Sequence, residues 1–303
     1  SLGHERVIRP RLSDAAFFFS NDKNTSLASR QKRLRSVVFQ HKLGTLLDKT
    51  RRIAKVASQL AAQMDADPEL TERAAQLCKC DLVSEMVLEF PELQGIAGSL
   101  YAAHDGEPQT VAEAIQSHYL PRFAGDQLPS SAEASAVALA DRIDTLVGIF
   151  GIGEPPTGSK DPFALRRASL GVIRILIEQS QPLPLSELLS YAFEQHSAEL
   201  APDTVETVLH YVLERLGNWY DDAGIHISVV RAVLATEGTD LFDIDLRIKA
   251  LAAFAQTDTA KHLAAANKRV ANILSKADSL DSAGVDADLL TEAEETALLR
   301  AMT

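Results

Sequence analysis

Between Lys79 and Gly95 the chain reads KCDLVSEMVLEFPELQG, and this stretch restricts the fold more than any other. Val83, Met86, Val87 and Phe90 fall at the i, i+3, i+4, i+7 spacing of a helical stripe that must be buried against other helices. Asp81, Glu85 and Glu89 repeat every fourth residue on another face, and Pro91 ends the run. Such a carboxylate row is either a solvated face or part of a ligand set, and the spacing alone allows both.

Helix punctuation recurs along the rest of the sequence. Thr45 and Asp48 form a capping box for a helix to about Met64, and Asp67-Pro68 is a cap followed by a first-turn proline. Thr110 with Glu113 predicts a second capping box, Ser131 opens a helix to Phe150, and Asp161-Pro162 opens another to about Gln179. Prolines 182 and 184 predict a boundary, beyond which LSELLSYAFEQ, VETVLHYVLERLGNWY, ISVVRAVLA, DLRIKALAAFAQ, AKHLAAANKRVANILSKA and LLTEAEETALLRAM read as further helices. Only RVIRPRL, from Arg6 to Leu12, reads as extended, an orphan whose sheet partners would lie elsewhere. The expectation is an all-α chain: a linking segment over 1–25, a helical domain over 26–181, a helical connection over 182–240 and the opening of another helical domain over 241–303.

With 46% hydrophobic and 24% charged residues, 303 residues supply a full globular core. No apolar run reaches the roughly 18 residues of a membrane span. The two cysteines, Cys78 and Cys80, point apart on a helix and read as buried thiols, which suits a reducing cytoplasm. The net charge of −12 argues against a protein basic all over, yet Lys23, Arg30, Lys32, Arg33, Arg35, Lys42, Lys49, Arg51, Arg52 and Lys55 are opposed locally only by Asp22 and Asp48. That cluster either attracts phosphate or pairs with acidic neighbours in the fold.

Two motifs imitate chemistry. The loop from Gly153 to Lys160, GEPPTGSK, inverts the lysine–serine order of a phosphate-binding loop and reads as a connector. His104-Asp105 is a literal HD dyad, but Gly106 and Pro108 place it at a helix exit, where it reads as a cap. The helical pattern resembles an HD domain in a different register. KTRRIAKVAS then puts Lys49 at the lone histidine position, AAQLCKCDLV puts Cys80 and Asp81 at the dyad, and ADRIDTL supplies Asp141. With both imidazoles replaced, the expectation is a degenerate site holding no metal, in which Asp81 pairs with Lys49.

The segments ERVIRPRLSDAAFFF, FQHKLGTLLDKTRRIA, KCDLVSEMVLEFPELQG, YAAHDGE, HYLPRFAGDQLPS, ADRIDTLVGIFGIGEPPTGSKDPFALRR and AAANKRVANIL follow one another in an order that resembles the β subunit of bacterial heterotetrameric glycyl-tRNA synthetase. The resemblance implies a piece of a longer cytoplasmic subunit: an HD-like domain over 26–181, then a connection, then the start of an anticodon-binding domain from 241. It implies that ATP and glycine are handled by a separate α subunit and that this piece binds no cofactor and catalyses nothing by itself. Its partners would be tRNA(Gly) and the α subunit. Candidate tRNA contacts are Arg51, Arg52 and Lys55 on one helix, Arg166, Arg167 and Arg174 on another, and Lys268 and Arg269 in the anticodon-domain segment. Tyr101, Tyr119 and Trp219 stack on bases or pack in the core. The rival readings are a metal-dependent HD phosphohydrolase acting on nucleotides and a scaffold that only joins other modules.

Overall fold

In the computed structural model, residues 2–275 and 290–302 are described. The helices are α1 (Leu2–Asp22), α2 (Leu27–Arg30), α3 (Leu46–Ala61), α4 (Pro68–Leu77), α5 (Glu85–Glu89), α6 (Ile96–His104), α7 (Gln109–Ser117), α8 (Ala132–Gly151), α9 (Leu165–Glu178), α10 (Leu185–Glu194), α11 (Thr204–Asp222), α12 (Ile227–Leu234), α13 (Leu241–Ala255), α14 (Asp258–Leu274) and α15 (Ala293–Met302). Between α2 and α3 a small antiparallel hairpin joins β1 (Val38–Gln40) to β2 (Gly44–Thr45). The fold is all-α, as expected. None of the described helices is long and apolar enough to cross a membrane.

Packing divides the chain into residues 1–250 and 251–303. In the first unit α8 is the central helix, with α3, α4, α7, α9, α10 and α11 laid against it. Its small and branched residues explain the position: Ala136, Val137, Ala138, Leu139, Ala140, Ile143, Leu146, Val147 and Ile149 are all fully buried. A helix buried on nearly every side must be enclosed by neighbours. Because α10 packs on α3 and α8, prolines 182 and 184 do not separate packing units. The division falls at 250/251. In the second unit α14 buries none of its side chains, and Leu263, Val270, Ile273 and Leu274 are exposed. Within the expected anticodon-binding segment, 276–289 lies outside the described residues, as does the tail of the AKHLAAANKRVANILSKA reading.

Local rules explain several helix starts. Thr45 and Asp48 form the reciprocal capping box of α3. Asp67 accepts from the N–H groups of Glu69 and Leu70 ahead of Pro68, and Ser131 accepts from Ala134 N–H. Four boundaries differ from the sequence expectation. RVIRPRL is not extended but lies inside α1. The far end of the same helix is anchored. Phe19 stacks on Tyr101 at 5.5 Å, and Asp22 accepts from Tyr101 Oη at 2.9 Å.

The Lys79–Phe90 run is not one helix either. A 3₁₀ turn over Cys80–Val83 ends at Ser84, whose ψ of 153° resets the chain before α5. Ser84 Oγ accepts from Val87 N–H, while the Asp22 carboxylate accepts from Glu85 and Met86 N–H at 3.1 and 3.0 Å. These donors are the ones a helix start leaves unpaired, so α1 caps α5. Val83, Met86 and Val87 are still buried, but the carboxylate row is broken: Asp81 is inside and Glu85 and Glu89 are outside.

The expected Thr110–Glu113 box does not form. Pro108 takes the N-cap position, and Gln109 Nε2 donates to Glu113 at 2.6 Å. Helix α9 begins at Leu165, three residues later than Pro162, yet Asp161 still accepts from Leu165 and Arg166 N–H at 2.8 and 3.0 Å.

Candidate functional site: a buried charge cluster beside a basic face

Helix α3 presents Lys49 and Arg52, three residues apart, to α8, which answers with Asp141 and Asp144 at the same spacing. Such spacing puts each pair on one helical face. Lys49 Nζ lies 2.9 Å from Asp141 Oδ1 and 3.0 Å from Asp144 Oδ2, and donates to Thr145 Oγ1 at 2.7 Å. Arg52 Nε donates to Asp144 Oδ1 at 2.5 Å, and its Nη1 reaches Leu43 O. Lys79, just before the 3₁₀ turn, closes the cluster from the other side. Its Nζ lies 2.7 Å from Asp141 Oδ2 and 2.8 Å from His118 Nε2, and 4.1 Å above the centre of the Tyr119 ring.

His118 Nδ1 is 2.7 Å from Ile115 O, so Nδ1 carries the proton and Nε2 accepts from the Lys79 ammonium. Burial, reinforced by the Lys79 charge, pushes the His118 pKa well below its ordinary value, and the ring is neutral. Burial works against ionised Asp141, but Lys49 and Lys79 outweigh it and hold the carboxyl well below the usual range. At Asp144, Lys49 and Arg52 likewise overcome burial and lower the pKa. His196 Nε2 stands 3.5 Å from Asp144 Oδ1, and burial lowers its pKa to about 4. The ring can come this close because a Cβ on Gly148 would lie 2.9 Å from His196 Cε1.

Asp81 does not pair with Lys49. Its Oδ2 accepts from Gly95 and Gly98 N–H at 2.6 and 3.2 Å, and burial raises its pKa against those bonds. Cys80 Sγ faces Gln76 O, away from Asp141. The residue that meets Asp141 is Lys79, one position earlier, because the 3₁₀ turn at Cys80 rotates the following residues off that face. Both thiols are buried, and burial pushes Cys78 up to about 12 and Cys80 higher. Of the residues expected together, Lys49 and Asp141 meet and Cys80 and Asp81 do not join them. Lys79, His118 and Asp144 were missed. Asp144 was open to discovery, since it repeats the Lys49–Arg52 spacing on α8.

The expected tRNA contacts divide in the same way. Arg52 is committed to Asp144, and Arg174 is buried with Nε 2.6 Å from Glu178 and Nη1 donating to Phe123 O. Both are corrections, since a guanidinium already bound inside the fold offers no fork to a phosphate. Arg166 is half-buried and donates to Gly158 O at 2.5 Å. Arg51, Lys55, Arg167, Lys268 and Arg269 are exposed.

Arg51 and Lys55 are joined in the first unit by Lys32, Arg33, Arg35 and Lys42, all exposed. These residues lie on the 3₁₀ turn of Gln31–Ser36, on the hairpin loop and on α3, which pack together. Among the described residues none of Lys32, Arg33, Arg35, Lys42 and Lys55 is paired with a carboxylate, and Arg51 has only a long 3.9 Å approach to Asp48. Tyr101 is buried, and Trp219 is half-exposed. His104 and Asp105 end α6, and Asp105 accepts from Leu27 N–H at 2.6 Å, the cap expected of them.

A model of the family described as glycyl-tRNA synthetase beta subunit matches residues 1–235. Curated relatives include the glycine–tRNA ligase beta subunits of Hahella chejuensis, 52% identical over 302 residues, and Chromohalobacter salexigens, 53% identical over 301 residues. Each alignment covers 99% of this chain and 44% of the relative. A third, from Mannheimia succiniciproducens, is 50% identical over 98% of this chain and 43% of the relative. The chain thus spans less than half the length of these relatives.

Proposed function

The chain belongs to the glycyl-tRNA synthetase β-subunit family, and from that premise we propose that it is a tRNA-handling part of a glycine–tRNA ligase. The chemistry of joining glycine to tRNA would be carried by a separate α subunit that uses ATP. The observation that supports this reading best is the group of exposed cations Lys32, Arg33, Arg35, Lys42, Arg51 and Lys55 on elements that pack together, of which, among the described residues, only Arg51 approaches a carboxylate, on a chain of net charge −12. Unpaired cations on one face of an acidic protein repel one another unless an anion shares them. A polyphosphate backbone neutralises such a face and releases its counterions. Arg167, and Lys268 and Arg269 in the second unit, are further candidate contacts.

The cluster around Asp141 is proposed as the structural relic of an HD-type metal site. Where a metal-binding carboxylate would meet a cation, Asp141 meets the Lys49 and Lys79 ammoniums at 2.9 and 2.7 Å. Two fixed positive charges there oppose a divalent ion by direct repulsion. The cluster therefore holds helices together and does not activate water. The domain names proposed for 26–181 and 241–303, HD-like and anticodon-binding, follow the family reading.

The test is tRNA binding by this chain over a salt series, with glycine tRNA against an unrelated tRNA. The proposal expects affinity that falls steeply with salt, by about 0.9 in log K per log salt for each phosphate neutralised. Salt-independent binding, or none, would refute it. Metal-stimulated hydrolysis of nucleotides by the purified chain would refute the relic reading.

A further inference from the structure

A cleft of about 380 Å³ opens between the ends of α9 and α11 and one side of α13, all in the first unit. Its size is that of a small-ligand or side-chain site, roughly 300–1,000 Å³. The walls are aromatic: half-exposed Trp219 and Phe242 and buried Tyr220. Two carboxylates, Glu178 and Asp245, line it with one ammonium, Lys249. Apart from Trp219, which the sequence reading offered for stacking on bases, none of these residues is among the candidate tRNA contacts.

The acidic groups at this cleft are each shared with a cation of the chain: Glu178 with Arg174 at 2.6 Å and Asp245 with Lys249 at 2.8 Å. Helix α9 ends at Glu178 and α11 ends at Asp222, so both present their C-terminal, partially negative ends to it. Asp245, 2% exposed, sits deep, with Oδ1 accepting from Tyr220 Oη at 2.7 Å. Its Oδ2 is 2.8 Å from Lys249 Nζ, whose side chain is 62% exposed. The chain thus already lays one of its own cations on that carboxylate. The Lys249 side chain is mostly exposed and held only at its tip, so a better-placed cation can displace it. A guanidinium fits better than an ammonium, since its plane stacks on indole while its edge meets a carboxylate.

We propose that this cleft is a docking site for an arginine side chain presented by a basic segment of a partner protein. The guanidinium stacks on Trp219, takes Asp245 from Lys249 and shares Glu178 with Arg174. A nucleotide is the poorer occupant, because its phosphate would face two carboxylates and two helix C-termini.

Trp219 is the sole tryptophan of the chain, so its emission reports the cleft directly. The probe is the blocked tripeptide Gly-Arg-Gly, titrated at constant ionic strength beside the norleucine analogue and beside CMP and AMP. The expected result is a saturable change in Trp219 emission with the arginine peptide alone. Lys249→Ala should tighten the peptide several-fold by removing its competitor, and Glu178→Gln should weaken it several-fold. Glu178 also holds the buried Arg174, and Lys249 holds the buried Asp245, so the denaturation midpoint of each variant is measured beside its peptide affinity and the comparison is made under conditions in which both are fully folded. Equal responses to the norleucine peptide, no response to any probe, or a response to the nucleotides alone would overturn the proposal. So would a Lys249→Ala variant that binds the arginine peptide no better than the parent.

Discussion

Arg51 and Arg52 are neighbours on α3, yet the first side chain is 62% exposed and the second 8%. A single step in helix phase separates two uses of the same chemistry. On the inner face, Lys49 and Arg52 are locked to Asp141 and Asp144 with every bond aimed at the protein itself. On the outer face, Arg51 and Lys55 have at most a 3.9 Å neighbour in Asp48. A charge run in sequence is therefore not one feature. Charges committed inside the fold set stability, and charges left outside set what the surface attracts.

The contrast is broken most severely from the inner side. Asp144→Ala would strand the buried Arg52 and leave Lys49 with Asp141 alone, and removing one partner of a buried pair costs about 3–5 kcal/mol. Chemical denaturation should show that loss, while Asp48→Ala, on the outer side, should cost no more than its capping contribution of about 0.5–2 kcal/mol. Gly171→Ala gives a smaller effect. Its new Cβ would meet the Arg142 side chain, which donates to His118, Tyr119 and Pro121 carbonyls. Overpacking of that kind costs about 1–3 kcal/mol.

Acid sharpens the same comparison. His118 and His196 have folded pKa values below the unfolded 6.5, His196 at about 4. The unfolded chain then binds more protons between those values, so stability falls as pH drops below 6.5. Asp141 and Asp144 are depressed below 3.8, so their contribution is present above 3.8 and is lost as pH falls through their folded values. Asp81, raised above 3.8, works the other way and gains on protonation. Denaturation at stepped pH should show a first decline from about the ordinary histidine value, and Asn in place of His196 should flatten part of it. The smallest stability effect belongs to the outer face: Arg51→Glu with Lys55→Glu should change stability by no more than about 0.5 kcal/mol.

How far the sequence reaches follows the range of the interactions involved. Thr45–Asp48, Asp67-Pro68 and Ser131 are legible because cap and helix lie within four residues. The break at Ser84 is not, since the carboxylate that caps α5 arrives from Asp22, more than sixty residues earlier. RVIRPRL is misread as well: it lies in the same helix as Phe19 and Asp22, whose contacts with Tyr101 come from a distant part of the sequence. At the cluster, the HD-domain resemblance assigned Lys49 and Asp141 to one site but paired Lys49 with Asp81, whereas Lys79 and His118 converge only once α4 and α7 have packed on α8. Phase on α3 did carry information: Lys49, Arg52, Ile53 and Val56 share the buried side, which excludes Arg52 from any surface role.

The division of labour on α3 requires that the outer face bind phosphate while the inner face does not. Its most direct test is the salt dependence of glycine-tRNA binding by the parent chain and by the Arg51→Glu, Lys55→Glu variant, at matched stability. The expected result is weaker binding and a log–log salt slope shallower by about one for each phosphate no longer neutralised. An unchanged affinity with an unchanged slope would contradict it and leave this face with no part in holding RNA.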